Sequence, residues 1–357
     1  MSTLKKIIKD PLGAIGISII LIASFLALFA YLIIPDKTSN ANAMNLSIAN
    51  QNPGFKAQFL LVPLKPKPIQ TTWEAWFFGE EKSGEMIAIS SYRKQKSILY
   101  YRPFGLIDGP EKELNLADYY SSEEIKSQQF LEQRTFWFGS DRFGRDMLSR
   151  LVVGARISLM VGFLAVFISL IIGIPLGAFA AYYGSWPDKL IMWLINVVWS
   201  IPGLLMVIAI TLALGKGFWQ VFIAIGFTMW VEVARVVRGQ VLSIKEKEYI
   251  QAAKVLGFSD IYIIAKHILP NIMAPLIVIS AANFASAILI ESGLSFLGIG
   301  AQPPTPTWGT MIKDHYSYLI MGKAHLAILP GMAIMLLVLA FMLIGNALRD
   351  ALDVRKY

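Results

Sequence analysis

The chain has 357 residues, 55% of them hydrophobic and only 16% charged, with a net charge of +8. That balance excludes an ordinary soluble domain, which is less apolar and more charged, and the cationic surplus reads as loops retained on one side of a membrane rather than as a nucleic-acid surface. With no cysteine neither a disulfide framework nor a thiolate zinc site can form, and no G-x-x-x-x-G-K-[ST] loop is present to bind ATP.

Residues 12–34 are uncharged, preceded by Lys5, Lys6 and Lys9 and stopped by Pro35. As a helix they span about 34 Å, enough to cross a bilayer. Ala41-Asn42-Ala43 looks like a signal-peptide cleavage site, but the apolar block is too long and the site too far beyond it. Residues 1–35 are therefore expected to hold the N-terminus and a retained first span. Residues 36–136 change character. They carry Pro53, Pro63, Pro66, Pro68, Pro103 and Pro110 and short β-like runs at Met86–Ser90 and Ser97–Tyr101. This predicts a small α/β or β-rich insert between the first two spans. If the N-terminus is inside, the insert is outside, because loops beyond about 60 residues escape the charge rule.

Residues 137–159 read WFGSDRFGRDMLSRLVVGARISL. Met147, Leu148, Leu151 and Val152 recur at helical spacing, with Arg145, Asp146, Ser149 and Arg150 between them. The spacing predicts an interfacial helix over 137–156 that leads into a span. Asp141, Arg145, Asp146 and Arg150 are expected to brace an outer entrance through local salt bridges, with direct substrate contact as the alternative. Five more spans are expected near 157–182, 190–214, 218–237, 271–297 and 326–347. Pro175 and Pro202 fall inside two of them, where neighbouring helices can satisfy the freed carbonyls.

The segment 239–270 divides the last spans. Over 245–270 it carries Lys245, Glu246, Lys247, Glu248, Lys254, Asp260, Lys266 and His267, too many charges for a bilayer span. Two short helices are expected, the first from Lys245 to Leu256. Gly257 ends it at positive φ, Ser259 caps the second with Asp260 in its first turn, and Pro270 marks a break. Ala252 and Ala253 keep the surface thin, so that a partner can come close. Glu248, Gln251 and Lys254 complete this candidate docking surface. In the outer loop 298–325, Pro303, Pro304 and Pro306 predict an extended form.

Four polar residues inside the spans are candidates for function. Glu291 is expected to pair with a donor from a neighbouring helix or subunit. Glu232, three residues before Arg235, is expected to pair with it along the helix. Asn196 and Asn283 can hydrogen-bond across helices or face a polar passage. Six spans with both ends inside put Lys5, Lys6, Lys9, Lys189, Arg235, Arg238, Lys245, Lys247, Lys254, Lys266, Arg349, Arg355 and Lys356 in short inner segments, thirteen cations in all. The short outer loops hold three, Lys216, Lys313 and Lys323. The asymmetry supports that orientation.

Gln251-Ala252-Ala253, then three residues, Gly257, and nine residues later His267-Ile268-Leu269-Pro270 resemble the EAA loop of binding-protein-dependent ABC importer permeases. Gln251 replaces the usual Glu and His267 the usual Ile. Gly139, Asp141, Gly144, Arg145, Asp146, Ser149 and Arg150 are similar to the G-[ST]-D-x-x-G-R-D-x-x-S-R stretch of the oligopeptide/dipeptide C-type branch. Glu291–Gly300, Gln302–Gly309 and Leu348–Asp353 resemble further signatures of that branch. The likeness covers about 1–35 and 137–357 and leaves 36–136 unmatched. It implies an all-α polytopic membrane protein of six transmembrane helices, with a cytoplasmic coupling-helix loop and an extracytoplasmic insert, in a bacterial inner membrane with both termini cytoplasmic. The five-helix core would be 157–357. It also implies the partners: a second related permease, one or two P-loop ATPases, an extracytoplasmic substrate-binding protein and membrane lipid. ATP and Mg would sit on the ATPases, and this chain would bind no cofactor or metal and catalyse nothing. Oligopeptides or dipeptides are the implied cargo, with nickel or a nickel chelate as the alternative. A secondary transporter, or an anchor presenting 36–136, remains as a reading from another class.

Overall fold

The computed structural model describes residues 7–64, 70–105, 110–215 and 217–352. Lys5, Lys6, Pro66, Pro68, Lys216, Asp353, Arg355 and Lys356, used above, lie outside them. In chain order, α1 (Pro11–Leu28) and a short α2 (Ala30–Ile33) come first. β1 (Phe55–Pro63), α3 (Thr72–Phe78), β2 (Gly84–Gln95), β3 (Ile98–Pro103), β4 (Lys112–Asn115), α4 (Ser122–Lys126) and β5 (Leu131–Phe136) follow. The remainder is helical: α5 (Met147–Tyr183), α6 (Ser185–Trp199), α7 (Gly203–Leu214), α8 (Phe218–Lys245), α9 (Glu248–Val255), α10 (Asp260–Tyr262), α11 (Met273–Phe296), α12 (Trp308–His315) and α13 (His325–Leu352). Among the described residues five helical stretches are long and apolar enough to cross a membrane, or six if α6 and α7 count as one bent span.

Several boundaries differ from the sequence reading, two of them at prolines. Pro175 is absorbed inside α5, as expected. Pro202 is not absorbed. It offers no N–H and crowds the preceding turn, so the expected span 190–214 breaks into α6 and α7, which meet at 90°. Pro270 does the reverse and ends nothing. A π turn over Ile263–Ile268 and a 3-10 turn over Leu269–Ile272 carry the chain on into α11. The expected interfacial helix over 137–156 is also corrected. Residues 137–146 are non-helical, and from Met147 the chain forms a single helix of 37 residues.

The chain divides into two compact units. One comprises Phe25–Arg156 and Pro303–Pro330. Its centre is a five-stranded antiparallel sheet of order β4-β3-β2-β1-β5. The β-rich insert is thus present, and the period of two shows in its packing. Ala57 and Phe59 of β1 pack with Ile48, Ala88 and Phe136, while Leu60, one residue on, packs with Ile89, Leu99 and Phe130 on the opposite face. The loop 298–325, expected to be extended, is not: residues 298–307 run through turns and bends, and α12 follows. Thr307 caps α12 through a reciprocal pair with Thr310, and the Trp308 indole donates to the Leu151 carbonyl at 2.9 Å.

The other unit comprises Met1–Ser24, Ile157–Gln302 and Gly331–Tyr357. Small residues let its helices approach closely, as expected for packing without a hydrophobic drive between apolar neighbours. At Gly177 of α5, an added Cβ would collide with the backbone oxygen of Ala234 on α8. Ala178, Ala181 and Tyr182 of α5 then meet Val233, Val237 and Val241 of α8 in one buried cluster.

Candidate functional site

The charged segment between α8 and α11 is built on that cluster. In α9, Ile250 and Ala253 lie three residues apart on one face, and both are buried against Val237, Val241, Ile263 and Ile268. α9 ends in a Schellman arrangement: the amide of Phe258 donates to the Ala253 carbonyl at 3.2 Å and that of Gly257 to the Lys254 carbonyl at 3.0 Å. This geometry puts Gly257 at φ +79°, where glycine alone is unstrained. Ser259 caps α10 by accepting from the Tyr262 amide. Asp260 accepts from the Tyr182 hydroxyl at 2.7 Å, and the Lys254 ammonium lies 4.8 Å from the centre of the same ring. The Lys245 ammonium donates to the Ala181 carbonyl at 3.0 Å.

Of the expected docking residues, Glu248, Gln251, Ala252, Lys254 and Gly257 are exposed. Gln251 also donates to the Lys245 carbonyl at 2.9 Å. Ala253 is a correction: it is buried on the Ile250 face and seats the helix instead of facing a partner. The sequence reading missed the most exposed apolar residues of this segment. Val255 is 88% exposed, Leu256 75% and Ile261 76%, three bared apolar residues within seven positions, the kind of surface that a partner covers. Their signal was their place off the Ile250/Ala253 stripe, on either side of a glycine that turns the chain outward.

The Asp141 cluster is built the opposite way. Asp141 is fully buried. It accepts from the amides of Phe143 and Arg145 at 2.8 and 2.9 Å and from the Arg145 guanidinium at 2.6 Å, with Arg150 at 3.8 Å. Arg145 also donates to Asn42 and Arg150 to the Asn40 carbonyl. Asp146 accepts from the amide and hydroxyl of Ser149, whose hydroxyl in turn accepts from the Asp36 amide. Burial pushes the Asp146 carboxyl up, against the pull of its bonds to Ser149. Gly139 and Gly144 have φ of +77° and +71°, and a Cβ at Gly144 would strike the Asn45 carbonyl. Local salt bridges form here between Asp141 and the pair Arg145 and Arg150, while Asp146 bonds to Ser149 instead. All four charged side chains are at most 5% exposed and meet one another, Asn42, Ser149 and the backbone.

The intramembrane candidates separate in the same manner. Glu291 is buried and accepts from Ser295 of its own helix at 2.7 Å. Asn283 is buried as well. The expected pair of Glu232 and Arg235 is not formed. Arg235 reaches from α8 to α6, where its guanidinium lies 3.5 Å from the Trp199 ring centre and donates to Asn196 at 3.4 Å. Stacking on an indole face competes well with an intrahelical ion pair. Glu232 instead faces a cavity of about 500 Å³ at the α6–α7 break, closed by α8 and α11.

Residues 173–356 match the family described as binding-protein-dependent transport system inner membrane component. Over 217 residues the chain is 46% identical to the dipeptide transport system permease protein DppC of Alkalihalophilus pseudofirmus, covering 61% of this chain and 71% of that one. It is 43% identical, over the same shares, to the glutathione transport system permease protein GsiD of Escherichia coli. A structure of the MetNI methionine ABC transporter in an inward-facing conformation aligns with 57% of this chain and 97% of its own at 20% identity and a TM-score of 0.47.

Proposed function

This chain belongs to the family of binding-protein-dependent transport system inner membrane components, and from that we propose that it forms half of the passage of an ATP-driven importer of short peptides. Two similar permeases are named for dipeptide and glutathione transport, which favours peptides over a nickel chelate. Membership of the family also sets aside the secondary transporter and the simple anchor. The other half of the passage is a second, related permease. An extracytoplasmic binding protein delivers the peptide, and one or two P-loop ATPases, carrying the ATP and Mg, drive the cycle. In this reading α6 and α7 share one of six spans, both termini and the 245–270 segment are cytoplasmic, and the sheet is outside. The distribution of Lys and Arg over the short loops supports this orientation.

The observation that carries the reading is the apolar patch of Val255, Leu256 and Ile261, held outward between two membrane-spanning helices by Gly257. An apolar surface of this kind covers itself with a partner, and an ATPase seated there would move α9. Because Ile250 and Ala253 lock α9 to α8 and the 263–272 turns, the movement is passed to helices that cross the membrane. The ATPase shifts the passage only to the extent that it binds one permease conformation better than the other. Affinity purification from native membranes tests the assembly. A second permease and P-loop ATPases are expected to co-purify, and ATP hydrolysis by the complex should rise with peptide-loaded binding protein. Recovery of the folded chain alone would overturn the reading.

A further inference from the structure

We propose that Glu232 is a transient binding site within the passage for the protonated N-terminal amine of a peptide, an inference that rests on the importer reading above. Glu232 lies 14 residues from Phe218 and 13 from Lys245, about 20 Å along α8 from either end. The expected span ends near residue 237, with Arg235 and Arg238 at its inner end, so Glu232 lies in the inner part of the span, where a carboxylate is costly and is kept for a purpose. Its side chain is exposed to the cavity rather than packed against a neighbouring helix. No hydrogen bond or ion pair engages it among the described residues. The cation nearest in sequence, Arg235, is committed to Trp199 and Asn196.

The walls around it define the ligand. Ile201, Leu204, Met206, Met229 and Leu289 give the cavity most of its surface, with the Thr228 and Ser286 hydroxyls beside them, and Glu232 is the sole ionisable residue that lines it among the described residues. About 500 Å³ suits a small ligand that presents apolar side chains and a single cationic group. One carboxylate with no second acidic ligand is a poor cage for a divalent metal but a sufficient partner for one ammonium. A peptide's terminal amine, with a pKa near 8, carries that charge at neutral pH. The Thr228 hydroxyl, at the same wall, donates to its own helix at Ile225 and leaves the carboxylate as the orienting group. A lone ion pair offers a foothold weak enough to release its cargo, which a passage requires.

The test uses the whole importer in proteoliposomes, with alanyl-alanine as the probe. Glu232→Gln is expected to lower uptake at least tenfold while ATP hydrolysis stimulated by the loaded binding protein persists, and Glu232→Asp is expected to recover part of the uptake. Because the chain has no native cysteine, Ser286→Cys on the wall of the same cavity, with Glu232 kept, gives a second, direct readout. Alanyl-alanine should protect that thiol from a methanethiosulfonate reagent, and N-acetyl-alanyl-alanine should not. Wild-type uptake by Glu232→Gln, or equal protection by both peptides, would overturn the site. So would loss of the second permease from the purified Glu232→Gln complex, which would make the carboxylate an assembly contact. Absence of peptide uptake by the wild type would remove the importer reading, and this inference with it.

Discussion

The Asp141 cluster and the 245–270 segment are made of the same materials and put them to opposite uses. Each has a glycine near φ +75°, acidic and basic side chains in quick succession, and a helix starting or stopping beside it. Around Asp141 the charges turn inward, where Asp141 pairs with Arg145 and Arg150 and Asp146 bonds to Ser149. In the 245–270 segment the apolar residues turn outward, and a few inward residues hold the piece in place. The difference teaches that a charge-rich motif is not itself a sign of contact with a partner. Burial decides whether its chemistry is spent within the chain or offered outside it.

The largest effect is expected where the spending is internal. Asp141→Ala strands Arg145 and Arg150 without their buried counter-ion, which costs about 3–5 kcal/mol. Thermal unfolding in detergent should show a large drop in midpoint or no folded chain at all. A near-native midpoint would break the comparison from that side. Next come the two glycines, tested as a pair. Gly144→Ala meets both the left-handed backbone cost of about 1–2 kcal/mol and the Asn45 carbonyl. Gly257→Ala meets the backbone cost alone, since no atom lies within 4 Å of the added carbon. Gly144→Ala should therefore lower the melting midpoint more. At Gly257 the functional cost should exceed the structural one. Gly257→Val is expected to leave the protein inserted while ATP hydrolysis no longer drives uptake, and normal uptake would refute that role.

A third prediction concerns the outward patch. Leu256→Glu should change stability by less than about 0.5 kcal/mol, as exposed substitutions do, yet reduce co-purification of the ATPase at least fivefold. The smallest effect is in the sheet-bearing unit. The Tyr120 hydroxyl donates to the Leu61 carbonyl at 2.7 Å, and burial, with Glu124 nearby adding to it, pushes the phenol up to about 12. An unfolded tyrosine titrates near 10. The stability this group contributes is thus complete below pH 10 and is lost as pH rises through about 12. The gap in melting temperature between wild type and Tyr120→Phe should be constant below pH 10 and close above it.

Much of the fold was legible because membranes restrict the alternatives. Long uncharged runs have to be helices, and the runs of β-branched and aromatic residues in 36–136 had to pair with one another. Gly257 and Ser259 were legible as well, since each performs the local task its chemistry suits. What escaped depended on what lay across the chain. Nothing local distinguishes Pro175, absorbed in α5, from Pro202, which breaks a span. The spacing of Glu232 and Arg235 gives no hint of Trp199, brought across from another helix. Ala253 and Val255 sit two residues apart in one short helix, and only the position of α8 decides which of them faces out.

At Gly257 the constraint is one of handedness rather than size. A φ of +79° with open space where a Cβ would stand is a strained backbone for an L-residue and a relaxed one for its mirror image. D-alanine would fit the turn that L-alanine resists, though the two have the same volume and polarity. The surface that follows the turn therefore faces outward because the turn has a chirality, and among the genetically encoded residues only the achiral one meets it without strain.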